Sequence, residues 1–164
     1  MYKIVLVTLC VMMVVKSEVI PFDNSAIEKI FQEKKAALFL FTNKNDASTN
    51  AKAALQAYDE AGSNVILTIS DEDDGNGLYE RLGEYLGVDT KNPPQVLFMG
   101  EKNDKYNFDA EEITQDTLAS FVQRIQSGEL QQFFKSAPIP ESNDEPVKIA
   151  VGKTFKEMVL DSDK

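Results

Sequence analysis

The longest apolar run outside the N-terminal leader is Ala36-Ala37-Leu38-Phe39-Leu40-Phe41, six residues with no charge before Lys44. An edge or one-sided strand would alternate polar and apolar positions, so this run reads as a central strand buried on both faces. The polar turn 42–46 follows, and Asp46 supplies a helix cap for a helix over 47–61, whose one face carries Ala51, Ala54, Leu55 and Tyr58. Gly62 ends it, and residues 64–70, rich in β-branched and aliphatic side chains, predict a second buried strand. Upstream, residues 18–22 predict a short edge strand limited by Pro21. Asp23, Asn24 and Ser25 then supply cap residues, and Ser25 and Glu28 match a capping box for a helix over 26–34 that turns Ile27, Ile30 and Phe31 inward.

Downstream the period returns to 3.6 over 78–86, where Leu78, Leu82, Tyr85 and Leu86 share a face and Gly87 gives the stop. The pair Pro93-Pro94 leads into an apolar strand ending at Met99, and Pro94 is the candidate for a cis bond at that strand entry. A hairpin turn over 100–104, an edge strand over 106–108 and a helix over 114–125 complete the pattern, with Gly128 as terminator. Residues 129–146 lose all periodicity and read as a linker, in which Phe133 and Phe134 either cover an apolar patch or lengthen the last helix. A strand over 147–152 and a helix over 154–159 follow, with nothing after them to pack on. Helix, strand, helix, strand in that order predicts a right-handed crossover and parallel pairing. The fold class is α/β, a central mixed β-sheet flanked by helices, followed by a linker and an incomplete second domain.

The first seventeen residues hold Lys3, an apolar core over 4–15 and the pair Lys16-Ser17. Twelve residues are too few to span a bilayer, so residues 1–17 are expected to be a secretory signal peptide cleaved after Ser17, and the mature chain is expected to have no membrane association. The net charge of −10 argues against nucleic acid as a partner. Histidine is absent and Cys10 is the only cysteine, which removes His-based acid–base chemistry, Cys nucleophiles and Cys/His zinc sites; no metal site and no cofactor are expected. The acidic stretch 71–74 fails the EF-hand spacing, since its fifth position is Gly75 and its twelfth Leu82. It is expected to be a solvated loop that caps the helix after it.

Three local motifs carry a resemblance to a known family. Leu82-Gly83-Glu84-Tyr85-Leu86-Gly87-Val88 with Pro94-Gln95-Val96, then Ser127-Gly128-Glu129-Leu130, then Pro146-Val147-Lys148-Ile149-Ala150-Val151-Gly152-Lys153-Thr154-Phe155, resemble the protein disulfide isomerases. They match the second non-catalytic module, the segment joining it to the last catalytic domain, and the opening of that domain. The resemblance implies a thioredoxin-like fold, with a redox-inactive thioredoxin-like domain over 18–128, a linker over 129–146 and the truncated start of a second thioredoxin domain over 147–164. It places the family's Cys-x-x-Cys at the turn after the central strand, where this chain has no cysteine, so activity in thiol–disulfide exchange is not carried over. The chain so resembles a short product or an incomplete reading of a disulfide isomerase.

What the resemblance does carry over is binding of unfolded or misfolded polypeptides, assisting protein folding in the endoplasmic reticulum lumen or after secretion. The pocket positions it implies are Phe31, Ala37, Tyr85, Leu86 and Met99, with Phe133 and Phe134 of the linker as its cover. The same five residues are also the makings of an ordinary core. A second class stays open: a lumenal acidic thioredoxin-like protein of the calsequestrin kind, with weak calcium binding as its activity.

Overall fold

The computed structural model describes residues 18–75, 77–133, 140, 142, 148–152, 154–155 and 158–159. The expected signal peptide and Phe134 lie outside the described residues. Five strands form one mixed sheet in the order β1-β3-β2-β4-β5: β1 (Ile20–Pro21), β2 (Ala37–Thr42), β3 (Ile66–Asp71), β4 (Gln95–Met99) and β5 (Lys105–Asn107). β2 pairs parallel with β3, and β3 parallel with β1; β4 runs antiparallel to β2, and β5 antiparallel to β4. Every residue of β2 is buried, as its unbroken apolar run requires of a strand covered on both faces.

Pleating sends Leu38 and Leu40 to one side of the sheet, where they pack with Leu55 and Tyr58 of α2 (Asp46–Glu60) and Leu118, Phe121 and Val122 of α4 (Gln115–Gln126). Ala37, Phe39 and Phe41 go to the other side, against Ala26 of α1 (Asn24–Ile27) and Tyr79, Leu82 and Leu86 of α3 (Leu78–Leu86). Two helices thus lie on each face, the arrangement of a thioredoxin-like fold. Among the described residues no helix is long and apolar enough to cross a membrane.

Several local details differ from the sequence reading. Asp23, not Ser25, caps α1, because its carboxylate accepts from both Ser25 N–H and Ala26 N–H. The helix then widens into a π turn over Glu28–Gln32, closed by Glu33 N–H to Glu28 O at 3.1 Å. Asn45 takes the cap of α2 in place of Asp46, receiving Ser48 N–H at 2.6 Å. The acidic stretch caps itself: Asp71 accepts from Asp73 N–H over a 3₁₀ turn, Glu72–Asp74, while α3 starts at Gly77 without any side-chain cap. Residues 148–152 carry no strand pairing where a strand was expected; Val151 O accepts from Thr154 N–H and Phe155 N–H, a helical turn leading into the stretch expected to be helical.

Candidate functional site

An open apolar groove of about 350 Å³ lies on the Phe39 side of the sheet, between α1 with its π turn and α3. Phe22, Ile27 and Phe31 form one wall, and Leu78, Leu82 and Tyr85 the other. The π turn decides which ring faces it. The extra residue in that turn puts Ile30 into the core at 1% exposure and leaves Phe31 half-buried at the rim. Phe31 meets Tyr85 edge to face at 5.6 Å across the groove, and Phe22 and Phe39 stand 6.5 and 6.4 Å from Phe31 beneath it. Such an aromatic floor offers area without long flexible side chains to order on binding.

The five expected pocket residues divide into two groups. Phe31 and Tyr85 reach the surface, and Tyr85, at 53% exposure, is a large apolar side chain left open to solvent. Ala37, Leu86 and Met99 are buried to within 1% and belong to the core below. Their register on β2, α3 and β4 places them in one buried cluster with Phe39 and Leu82, beneath the residues that line the groove. Phe22, Ile27, Leu78 and Leu82 were missed by sequence reasoning, although the i, i+4 spacing of Leu78 and Leu82 with Tyr85 marks one face of α3.

Lys105 was also missed, and no spacing signal exists for it. It sits on β5, twenty residues from Tyr85, yet its Nζ donates to Tyr85 O at 2.7 Å and lies 4.4 Å from the centre of the Tyr85 ring. The ammonium satisfies a carbonyl at the C-terminal end of α3, where a cation is favoured, and holds the ring by its negative face. The linker arrives at this same residue: Phe133 N–H donates to Lys105 O at 2.6 Å, and Gln132 bonds the Tyr106 hydroxyl. Phe133 itself is half-buried.

The turn between β2 and α2 carries no cysteine. Its polar groups are spent on one another: Asn43 N–H donates to Ser48 Oγ, Ser48 Oγ donates to Asn43 Oδ1, and Asn45 Nδ2 donates to Pro93 O at 3.1 Å. The Pro93–Pro94 bond beside it is cis. A wider, mixed cleft of about 630 Å³ opens next to Pro94, flanked by Ala47, Asn50, Phe108 and Glu112. At the end of β3, Asp71 pairs with Lys52 and accepts the Thr42 hydroxyl at 3.1 Å. Burial alone would raise the Asp71 carboxyl; Lys52, with Asp73 N–H and Thr42, outweighs it and holds the group below the usual carboxylate range. Burial, with Glu72, Asp71 and Asp89 nearby, pushes the Tyr79 phenol up to about 12, which removes it as an acid–base group at neutral pH. Asp73 pairs with Lys44 at 3.0 Å, and among the described residues no group of three or more acidic side chains converges to hold a metal.

A thioredoxin-like domain model matches residues 16–124. The chain is 33% identical over 147 residues to protein disulfide isomerase-like 1-4 of Arabidopsis thaliana, covering 87% of this chain and 24% of that protein. It is 29% identical to a protein disulfide-isomerase of Ricinus communis, covering 88% and 28%, and 36% identical over 98 residues to human protein disulfide-isomerase A4, covering 60% and 15%. It therefore spans about a quarter of the length of the curated relatives it matches over most of its own. Among solved structures it is similar to the bb fragment of ERp72, with a TM-score of 0.51 at 17% identity over 68% of this chain and 50% of that one. It is also similar to a thioredoxin of Schistosoma mansoni, with a TM-score of 0.52 at 14% identity over 66% and 98%. At these identities the structural likeness speaks for the fold alone.

Proposed function

The chain belongs to the thioredoxin-like domain family, as a module of the protein disulfide isomerase kind, and from that premise we propose that it assists protein folding by holding unfolded or misfolded polypeptides in the α1–α3 groove. The observation that carries this reading is the Phe31–Tyr85 pair, two aromatic rings kept at the surface above a fully packed aromatic floor. An ordinary core would have closed over them. Each apolar anchor buried there contributes about 1.5 to 3 kcal/mol, and the entropy of immobilising a peptide takes back much of it. Affinity is then in the high-micromolar to millimolar range for one or two anchors, which suits a site that releases clients of many sequences.

Thiol exchange is no part of the proposal, since the chain's one cysteine is Cys10 and the turn that would hold a dithiol is filled by Asn43, Asn45 and Ser48. The setting we propose is the lumen of the endoplasmic reticulum or the secretory route, where relatives of this kind find unfolded chains. The linker is proposed as a cover: Phe133 already bonds to Lys105, which in turn holds Tyr85, so a client entering the groove meets the linker at its edge.

The test is an NMR titration of the full chain with an unstructured apolar peptide. Shifts gathered at Phe31, Tyr85 and their α1 and α3 neighbours are the expected result. Shifts confined to the cleft beside Pro94, or none at saturating peptide, would sink the groove as the client site.

A further inference from the structure

We propose that Arg81 makes the groove selective, so that it takes apolar segments carrying an aspartate or glutamate beside the apolar anchor. The inference rests on the groove being the client site and adds the class of client. Of the seven residues that line the groove, six are apolar and the seventh is Arg81. Its side chain stands on the exposed side of α3, one turn from both Leu78 and Tyr85. The described ion pairs are Lys44–Asp73, Lys52–Asp71 and Arg124–Asp109, and among the described residues Arg81 has no partner.

Arg81 is the one charged residue among those that line the groove. Glu80 and Glu84 lie on the same helix, and Glu28 and Lys29 on the facing π turn, but none of the four lines the groove. Lys105, the other cation near the rim, is already committed to the Tyr85 carbonyl and ring. Among the lining side chains the Arg81 guanidinium is therefore the one charged donor, beside the neutral Tyr85 hydroxyl. A guanidinium suits such a place: it is weakly hydrated, its planar faces lie on apolar and aromatic surfaces, and its edge offers a two-pronged contact to a carboxylate.

Charge complementarity decides the occupant. A basic segment would be drawn by the chain's overall charge yet would face Arg81 on entering the groove. An acidic flank is repelled at long range but gains a direct contact at the rim. At about 0.15 M salt the screening length is about 8 Å, so the dispersed acids act weakly while a contact pair survives. An exposed pair of this kind shifts affinity about two- to five-fold. The preference is modest, as a site with many clients requires.

The experiment uses the full chain and three peptides with acetylated and amidated ends, identical except for Asp, Asn or Lys next to a Phe-Leu anchor. Dissociation constants are read from the Phe31 and Tyr85 amide shifts in the wild type, in Arg81→Gln and in Arg81→Glu. The expected result is a two- to five-fold preference for the Asp over the Asn peptide in the wild type. It falls to one or below in Arg81→Gln and turns into preference for Lys in Arg81→Glu. Equal binding of all three peptides in the groove, or a preference for Asp that survives Arg81→Gln, overturns the selectivity and leaves the groove in place. Absence of any shift at Phe31 and Tyr85 with all three peptides overturns the groove itself, and the selectivity with it.

Discussion

Asp71 shows how much one side chain at a strand end does here. It closes β3, caps the 3₁₀ turn, accepts the Thr42 hydroxyl from β2 and pairs with Lys52 of α2, so four elements meet on one carboxylate. Its folded-state pKa is lowered, so the charged form is the one the fold favours. The contribution to stability is then complete above the ordinary carboxylate value near 4 and is lost as pH falls through the lower folded value. Asp71→Ala is expected to cost about 1 to 2 kcal/mol at pH 7, a range reduced because Lys52 remains partly exposed. Urea unfolding of wild type and variant at pH 7 and at pH 2.5 checks it: the gap between the two should narrow at the lower pH. A gap of the same size at both values would mean that packing, and not the ion pair, carries the effect. None of this was legible in the sequence, where Asp71 is one acid among four and the pairing with Lys52 depends on where α2 crosses β3.

At the scale of elements, α3 is the piece both the fold and the groove depend on, and its bounds were legible to the residue because Gly87 stops it in a left-handed conformation with φ of 81°. Its interior glycine has a different reason. Gly83 lies in mid-helix, where alanine would ordinarily stabilise by about 1 kcal/mol. Here an added Cβ would stand 2.1 Å from Thr90 Cγ2, because the loop after the helix folds back against it and bonds to its carbonyl through Val88 N–H. Gly83→Ala is therefore expected to destabilise by about 1 to 3 kcal/mol, the cost of overpacking a stiff β-branched neighbour. Adding Thr90→Ser removes the clashing methyl and should return most of that loss, which thermal unfolding of the single and double variants measures. If Gly83→Ala alone proves neutral, Thr90 has another rotamer at no cost. Helix existence and face were readable for α3 because a 3.6 period is strong over nine residues. The π turn over Glu28–Gln32 was not, since Ile27, Ile30 and Phe31 fit an α-helical face and nothing local announces the extra residue that moves Phe31 to the rim.

Over the whole molecule, the two-sided core follows from the apolar run at β2 and the parallel β2–β3 pairing from the order of elements, and the resemblance supplied the thioredoxin-like name for that arrangement. The groove needed coordinates, because its walls come from residues 22–31 and 78–85, and the cation that steadies Tyr85 comes from a third place, β5. That third place ties the groove to the linker. Phe133 meets β5 through its backbone N–H, so the docking can be released without touching any groove side chain: Phe133→Pro removes the donor to Lys105 O and forbids that bond. If the linker covers the groove, peptide and docked linker compete, and the apparent affinity of the intact chain is reduced by the fraction of time the linker is away. Phe133→Pro should then tighten binding of the neutral Phe-Leu peptide several-fold while the Phe31 and Tyr85 shifts keep their pattern. An affinity equal to the wild type would mean that the Phe133–Lys105 bond anchors the linker beside the groove and does not close it. A loss of affinity would mean that the bond holds Lys105, and through it Tyr85, in the binding position, making the linker part of the site and not its competitor.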